Sequence, residues 1–476
     1  MTSQVTIWGG AVALRLRRLA FKVQAVVLGR VTAVVDAGPD PLRFGVGRSL
    51  RNRILSTPLA SLQDDVTTSR ESVTSSASAL DSQQDLVLLV TRTLGTGGVE
   101  TVVATLAREL PQHGVRTVVL CEAGGMTADS LRRDKIEVVQ APDRETARDF
   151  IAGLPENALA QLHNAPDHLI EECIGRGLRV VPVIHSTDIN LSADGWEREA
   201  WLTDMATVTI AVSQKVRSFH TRNMPRPAGA PIVVIPNGVK LAPLDPAERD
   251  LARAKLASVL KLELSGAIVF VCLARYDLQK NIPGLVASFL RAAEVRDDIH
   301  LVVAGPIEDW LEHALANSIR CSHPAASRIH LMGLGASRAI LAASDAFILD
   351  SFFEGWPVAA TEAAMAGLPL ILSDVGGAVE LVGVSGERGR LCENPAAPAE
   401  SITLADIRRA RRRAASQTNQ PQIEQAVLDI CREIDDWRAR RVAMSASVSS
   451  WLSSDVMVEA HARLLRQVAG SRPVRT

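Results

Sequence analysis

From residue 86 onward, short apolar runs alternate with longer stretches of helical periodicity. The runs LVLLV (86–90), RTVVLC (116–121), IEVVQA (136–141), LAQLHN (159–164), RVVPVIHS (179–186) and VTIAVS (208–213) are rich in β-branched residues. They read as buried strands. Between them lie patterns such as VETVVATLAREL (99–110), in which apolar residues recur every three or four positions. A second series follows: AIVFVCLAR (267–275), IHLVVAG (299–305), RIHLMG (328–333), AFILDS (346–351) and PLILSD (369–374), again with helical patterns between them. Strands that alternate with helices predict doubly wound parallel sheets, so the chain is expected to be α/β with two such domains. The Pro- and charge-rich stretch PNGVKLAPLDPAERD (236–250) marks the break between them.

The ends depart from this pattern. Residues 1–35 hold no acid, while Arg15, Arg17, Arg18, Lys22 and Arg30 cut an apolar stretch into runs too short to cross a bilayer. Wound as a helix, Arg15, Arg18, Lys22 and Arg30 share one side, which suits an anionic membrane surface. An Arg-rich leader or an ordinary packed helix fits the same composition. The Ser-rich TTSRESVTSSASALDSQQD (67–85) reads as a linker. The expected organisation is therefore a basic apolar segment at 1–66, a linker at 67–85, a first Rossmann-like domain at 86–238, a connection at 239–266, a second domain at 267–435 and a helical tail at 436–476. Within the helical C-terminal part, Arg408, Arg409, Arg411, Arg412 and Arg413 read as a solvated helix face. SSWLSSDVMVEAHARLLRQV (449–468) reads as one final amphipathic helix.

Composition narrows the functional classes. The 476 residues are 47% hydrophobic and 22% charged, with a net charge of -1, which gives no general argument for a nucleic-acid partner. The six cysteines are scattered without a C-x-x-C pair, so reduced thiols in the cytoplasm are expected rather than a zinc site or a disulfide frame. There is no D-x-D triplet, and no metal is expected.

Candidate chemistry collects where strands should end, which is where ligands bind in an open parallel sheet. In FFEGWPVAATEAAMAG (352–367), Glu354 should lie in the turn after a strand formed by AFILDSFF. Pro357 can open a helix that carries Glu362, and Gly367 and Pro369 can end it. Two carboxylates could then reach one ligand, although spacing alone fits two solvated acids better. In TGGVE (96–100), Gly97 and Gly98 open a helix and let a ligand approach its positive end. In ARYDLQKN (274–281), an arginine fork at Arg275 and an ammonium at Lys280 can neutralise a diphosphate, or can be plain surface charges. His185 of HSTD (185–188) ends a strand and is as readily structural as functional.

Taken in order, these pieces resemble the retaining nucleotide-sugar glycosyltransferases of the GT-B fold, glycosyltransferase family 4, or group 1. The resemblance covers about residues 86–395 and rests on GGVE, HSTD, VSQKV with Ser213, VIPNGV (234–239), ARYDLQKN, LVVAGP, LMG and, above all, EGWPVAATE (354–362). It implies two Rossmann-like domains facing across a cleft, with the N-terminal segment as an extra. Glu362 would bind the nucleotide ribose and Glu354 the donor sugar. Arg275 and Lys280 would bind the diphosphate and stabilise its departure, and His185 would position the sugar. Gly97, Gly98, Asn237, Gly238, Gly305 and Gly355 would complete the donor site. The implied partners are a UDP- or GDP-sugar and a glycan, lipid-linked saccharide or lipid acceptor, with neither cofactor nor metal. Peripheral contact with the inner face of the membrane would come through the basic N-terminus. Departures are the charged loop AGPIED (304–309) and GERGRLCENP (386–395), which lacks the usual Asn-Gly and leaves contacts near Gly305 and Leu391 open. A nucleotide-sugar 2-epimerase and a non-catalytic binding relative share the same outline.

Overall fold

A computed structural model of the chain describes residues 16–32, 49, 52 and 85–470. The linker expected at 67–85 lies almost wholly outside the described residues, as does Arg15. Two parallel sheets carry the structure. The first contains β1 (Asp85–Thr93), β2 (Val115–Ala123), β3 (Val138–Gln140), β4 (Leu159–His163), β5 (Arg179–Ile184), β6 (Thr209–Ala211) and β7 (Ile232–Val234) in the order β3-β2-β1-β4-β5-β6-β7. The second contains β8 (Ile268–Leu273), β9 (Ile299–Ala304), β10 (Ile329–Met332), β11 (Ala346–Leu349), β12 (Leu370–Ser373) and β13 (Gly389–Cys392) in the order β10-β9-β8-β11-β12-β13. Every pairing between these strands is parallel. Strand order reverses between β1 and β4 in one sheet and between β8 and β11 in the other. Loops diverge at such switch points, and the crevice they leave is where doubly wound sheets take ligands.

The chain divides into two compact units. One comprises Ala242–Phe353, Glu362–Ala446 and the described N-terminal residues; the other comprises Glu354–Thr361 and the described parts of Thr68–Leu241 and Ser447–Thr476. In the first sheet, Leu86, Leu88 and Val90 of β1 pack in one apolar cluster with Ala160 and Leu162 of β4. The two-residue strand period sets this face. All six cysteines carry free thiols, five of them buried.

Three local expectations change. The strand expected over AFILDSFF stops at Leu349, because Asp350 turns into the core and is bonded by side-chain amides. The final amphipathic helix is two helices, Ile434–Leu452 and Ser454–Gly470. The break occurs where Val239 N donates to Leu452 O and Ser454 N donates to Val239 O, so backbone pairing replaces helical bonds there. Of the five clustered arginines, Arg411 is not solvated: it is buried and paired with the buried Glu312.

Candidate functional site at the strand ends

Around the first sheet, the residues at the carboxyl ends are held mainly by backbone. Gly97 stands just before the helix Gly98–Glu109, where its carbonyl accepts from Thr101 N at 3.0 Å and Thr101 Oγ1 at 2.8 Å. Glu100 sits in the first turn, favourably for the helix dipole, and accepts from Thr93 Oγ1 at 3.1 Å. His185 follows β5 directly and is buried. The next residues are pinned by His220, whose Nε2 lies 3.0 Å from Ser186 O. Ser213 caps the helix Gln214–Asn223 by accepting from Val216 N at 3.2 Å.

Within this same unit the structure brings the turn at Glu354 and Gly355 onto His185. A Cβ placed on Gly355 would fall on the His185 carbonyl oxygen, so only glycine permits the approach. Glu354 is buried beside it in sequence. Trp356 Nε1 donates to Thr361 Oγ1 at 2.8 Å, which ties the turn to the start of the helix Val358–Met365. Asn237 and Gly238 have a different surrounding. Gly238 packs on the Ser453 carbonyl and its N–H points to Met457 Sδ at 3.2 Å, so packing against the C-terminal helices explains that glycine.

Around the second sheet, charge replaces backbone. Arg275 and Lys280 lie on the loop after β8 and are both half-buried. Asp277 organises them: its Oδ2 is 3.1 Å from Arg275 Nη2, and its Oδ1 accepts from Lys280 N at 3.1 Å. Gln279 accepts from Arg275 Nη2 at 3.2 Å and donates to Phe353 O at 2.9 Å, linking this loop to the one after β11. Gly305 follows β9 and backs onto the Ala274 carbonyl, one residue before Arg275.

Below the loop, Asp350 is fully buried, accepting from Asn281 Nδ2 at 3.0 Å and Asn419 Nδ2 at 2.8 Å. Desolvation outweighs those bonds and pushes its carboxyl up to about 8. Asn281 itself exchanges two hydrogen bonds with Gln417 and sits in the left-handed region with φ 49°, at the start of the helix Ile282–Val295. The backbone of Lys280 is thereby anchored at both ends.

Glu362, on the helix after β11, is half-buried and its carboxylate has no hydrogen-bond or ion-pair partner among the described residues. Burial raises its pKa, with nothing to offset it.

The sequence reading missed Asp277, Gln279, Asp350 and the Asn281–Gln417–Asn419 group. It also missed Gln161, His163 and His461, which lie beneath His185. A signal for two of them was present: Gln161 and His163 are polar residues two apart in an otherwise apolar strand, which puts both on one buried face. Among the described residues, no group of three or more His, Cys, Asp or Glu is placed to hold a metal ion.

Comparison with known proteins adds to this geometry. Residues 96–242 match the model of Glycosyltransferase Family 4, and residues 267–405 match that of Glycosyl transferases group 1. Glycogen synthase from Mycobacterium tuberculosis is 27% identical over 265 residues, which are 53% of this chain and 56% of that protein. The chain thus spans about half the length of the curated relative that it matches. HepE from Anabaena, in a crystal structure with UDP and glucose, shares the fold with a TM-score of 0.61 and 18% identity over 80% of this chain and 99% of that one. A glycosyltransferase from Rickettsia africae does so with a TM-score of 0.62 and 15% identity, over 82% and 100%. The fold is that of the GT-B class, and with the two family matches falling in chain order on its two sheets, the protein belongs to the group 1 glycosyltransferases of family 4.

Proposed function

We propose that this protein transfers a hexosyl group from a nucleotide-sugar donor to a glycan, lipid-linked saccharide or lipid acceptor, with retention at the anomeric carbon and without a metal. The observation that carries the donor reading is the chemistry flanking the β8–β11 switch point. One loop presents two cations, and the helix after the neighbouring strand presents a partly desolvated carboxylate with no partner among the described residues. A diphosphate complements the first, and ribose hydroxyls, which can donate, complement the second. As the glycosidic bond breaks, negative charge grows on the diphosphate, and preorganised Arg275 and Lys280 stabilise it. Glu354 holds hydroxyls of the sugar. His185 orients it as a neutral imidazole, because burial and, secondarily, the electrostatic influence of His461 lower its pKa to about 3. Gly97 and Gly98 allow close approach of the donor to the backbone, whereas Gly305 and Gly355 let their loops pack on the Ala274 and His185 carbonyls beside the site.

HepE, a fold neighbour, was crystallised with UDP and glucose, which makes UDP-glucose the first donor to try. The test is thermal shift against UDP-, GDP- and ADP-sugars, followed by NMR assignment of the anomer formed by the shifting donor. An inverted product refutes retention. Release of an altered sugar with the nucleotide bond at equilibrium identifies an epimerase instead. Full loss of activity in EDTA, restored by Mg²⁺ or Mn²⁺, refutes the metal-free reading.

The membrane partner takes a specific form. Residues 16–32 are helical, with Leu28 and Thr32 buried, whereas Leu16, Leu19, Val23, Val26 and Val27 are more than half exposed. The outward side is therefore apolar rather than basic, with Arg17, Lys22 and Arg30 exposed around it and Arg18 half-buried. An apolar stripe edged by cations suits the headgroup boundary of anionic lipid. No helix among the described residues is long and apolar enough to cross a membrane. The free buried thiols fit a reducing, cytoplasmic setting.

A further inference from the structure

Beneath His185 runs a line of buried polar side chains that sugar transfer by itself does not require. Gln161 and His163 share the face of β4 opposite Ala160 and Leu162. His163 Nδ1 lies 2.9 Å from His185 Nε2, and His163 Nε2 lies 3.3 Å from Gln161 Oε1. Gln161 Nε2 lies 2.9 Å from Nδ1 of His461, on the helix Ser454–Gly470. Gln161 and His163 have no exposed surface, and His461 is 1% exposed.

Each contact in such a line needs one proton, and a neutral imidazole supplies one N–H and one bare nitrogen. All three histidines are neutral, since burial drives His163 well below its usual pKa and His461 down to about 4, as it does His185. The protons must therefore all point the same way along the line. The amide of Gln161 sets that direction, because its oxygen only accepts and its nitrogen only donates. With Nε2 toward His461, the ring of His461 accepts at Nδ1. With Oε1 toward His163, that ring donates from Nε2, so its Nδ1 is bare and must accept from His185 Nε2–H. Nδ1 of His185 is then left bare as an acceptor. Turning the amide over would reverse every bond and make His185 Nδ1 a donor.

We propose that Gln161, His163 and His461 are positioning residues that hold His185 as its Nε2–H tautomer, so that His185 Nδ1 accepts a hydrogen bond from a hydroxyl of the donor sugar. This rests on the reading that His185 meets the sugar, and it adds a selection. The ligand group at that nitrogen must have a proton to give, so a hydroxyl is accepted and an ionised carboxylate or phosphate is not.

Long-range ¹H–¹⁵N spectra of the full chain, with ¹⁵N-labelled histidine, report the tautomer of each ring. At neutral pH, His185 should carry its proton on Nε2. Gln161→Leu should give a mixture of both tautomers, and Gln161→Glu, an acceptor in the same place, should restore the single form. A wild-type His185 protonated on Nδ1, or a tautomer unmoved by Gln161→Leu, overturns the proposal; the wild-type spectrum decides alone if the leucine variant does not fold. With UDP-glucose as the probe and UDP release as the readout, Gln161→Leu should lower kcat/KM about 3- to 10-fold, the worth of one neutral hydrogen bond. Gln161→Glu should recover that loss. His185→Ala with undiminished UDP release would remove His185 from the sugar, a failure of the functional reading that the tautomer spectra register separately.

Discussion

The two sheets meet their candidate ligand chemistry by opposite means. At the first, the groups other than Glu354 are uncharged or backbone: helix N–H groups at Gly97 and Gly98, a neutral His185, and a Gly355 turn pressed on a carbonyl. At the second, they are ionic: Arg275, Lys280 and Glu362, with buried amides beneath them. Uncharged groups can be sealed in the core at modest cost, whereas a charge must stay near solvent or find a partner. Arg275 and Lys280 accordingly sit on a half-buried loop that is pinned by Asp277 and Gln279 above and by Asn281 and Asp350 below, while Glu362 stands half-buried on a helix. Effects of mutation should therefore appear in transition-state charge at the two cations of the second sheet, in donor affinity at Glu362, and in geometry at the first sheet.

The largest effect is expected from removing a cation. Lys280→Ala should lower kcat by roughly 10²–10³, as for loss of one preorganised electrostatic donor, in steady-state assays with a single donor and acceptor. Lys280→Arg should not fully rescue it, because a planar fork does not replace a compact ammonium. A loss confined to donor KM would erase the distinction between the two sheets.

Next comes the geometric counterpart. Gly355→Ala must push the turn off the His185 carbonyl, and a displacement near 1 Å is expected to cost about 10²-fold in kcat/KM. Circular dichroism should show the fold retained. An active Gly355→Ala variant would show that this contact does not set the site.

Glu362→Gln sharpens the comparison in a third way. Ribose is unchanged by the reaction, so donor KM should rise about tenfold with kcat nearly constant, the mark of lost uniform binding. The sign of its pH dependence follows from its raised pKa. In the free protein, this carboxyl favours folding below the ordinary glutamate range, and that contribution is lost as pH rises through the folded pKa. The glutamine variant should therefore melt higher than wild type above that pH and equally at acid pH, while binding donor less well. A lower Tm at neutral pH would show that Glu362 is a structural group.

The smallest effect is expected outside both sheets. Leu19→Glu with Val23→Glu should weaken sedimentation with anionic vesicles and leave turnover of a soluble acceptor unchanged. Equal binding by the variant, measured beside neutral vesicles, would remove the lipid reading of the 16–32 helix.

Much of this was legible in the sequence. Runs such as IHLVVAG and RTVVLC became strands almost residue for residue, because a short, mostly apolar run rich in β-branched residues favours the pleated sheet. The positions of Arg275, Lys280 and His185 directly after strands followed from the same pattern. Arg411 did not: its place four residues after Ile407 puts it on the buried face of its helix, but the glutamate that pairs with it there lies 99 positions away. The groups beneath the site are equally non-local: Asn281 meets Gln417, and Gln161 meets His461, 136 and 300 positions apart.

The sequence by itself determined the α/β class, the placement of charged and glycine residues at strand ends, and the family, because each depends on residues within a few positions of one another. Tertiary structure alone decided that Asp350 leaves its strand for a buried amide network, that the C-terminal helix breaks at Ser453, and that the amide of Gln161 is joined through His163 to His185. Such pairings form between segments far apart in the chain, where a buried polar group must find whichever partner the packed fold brings within about 3 Å.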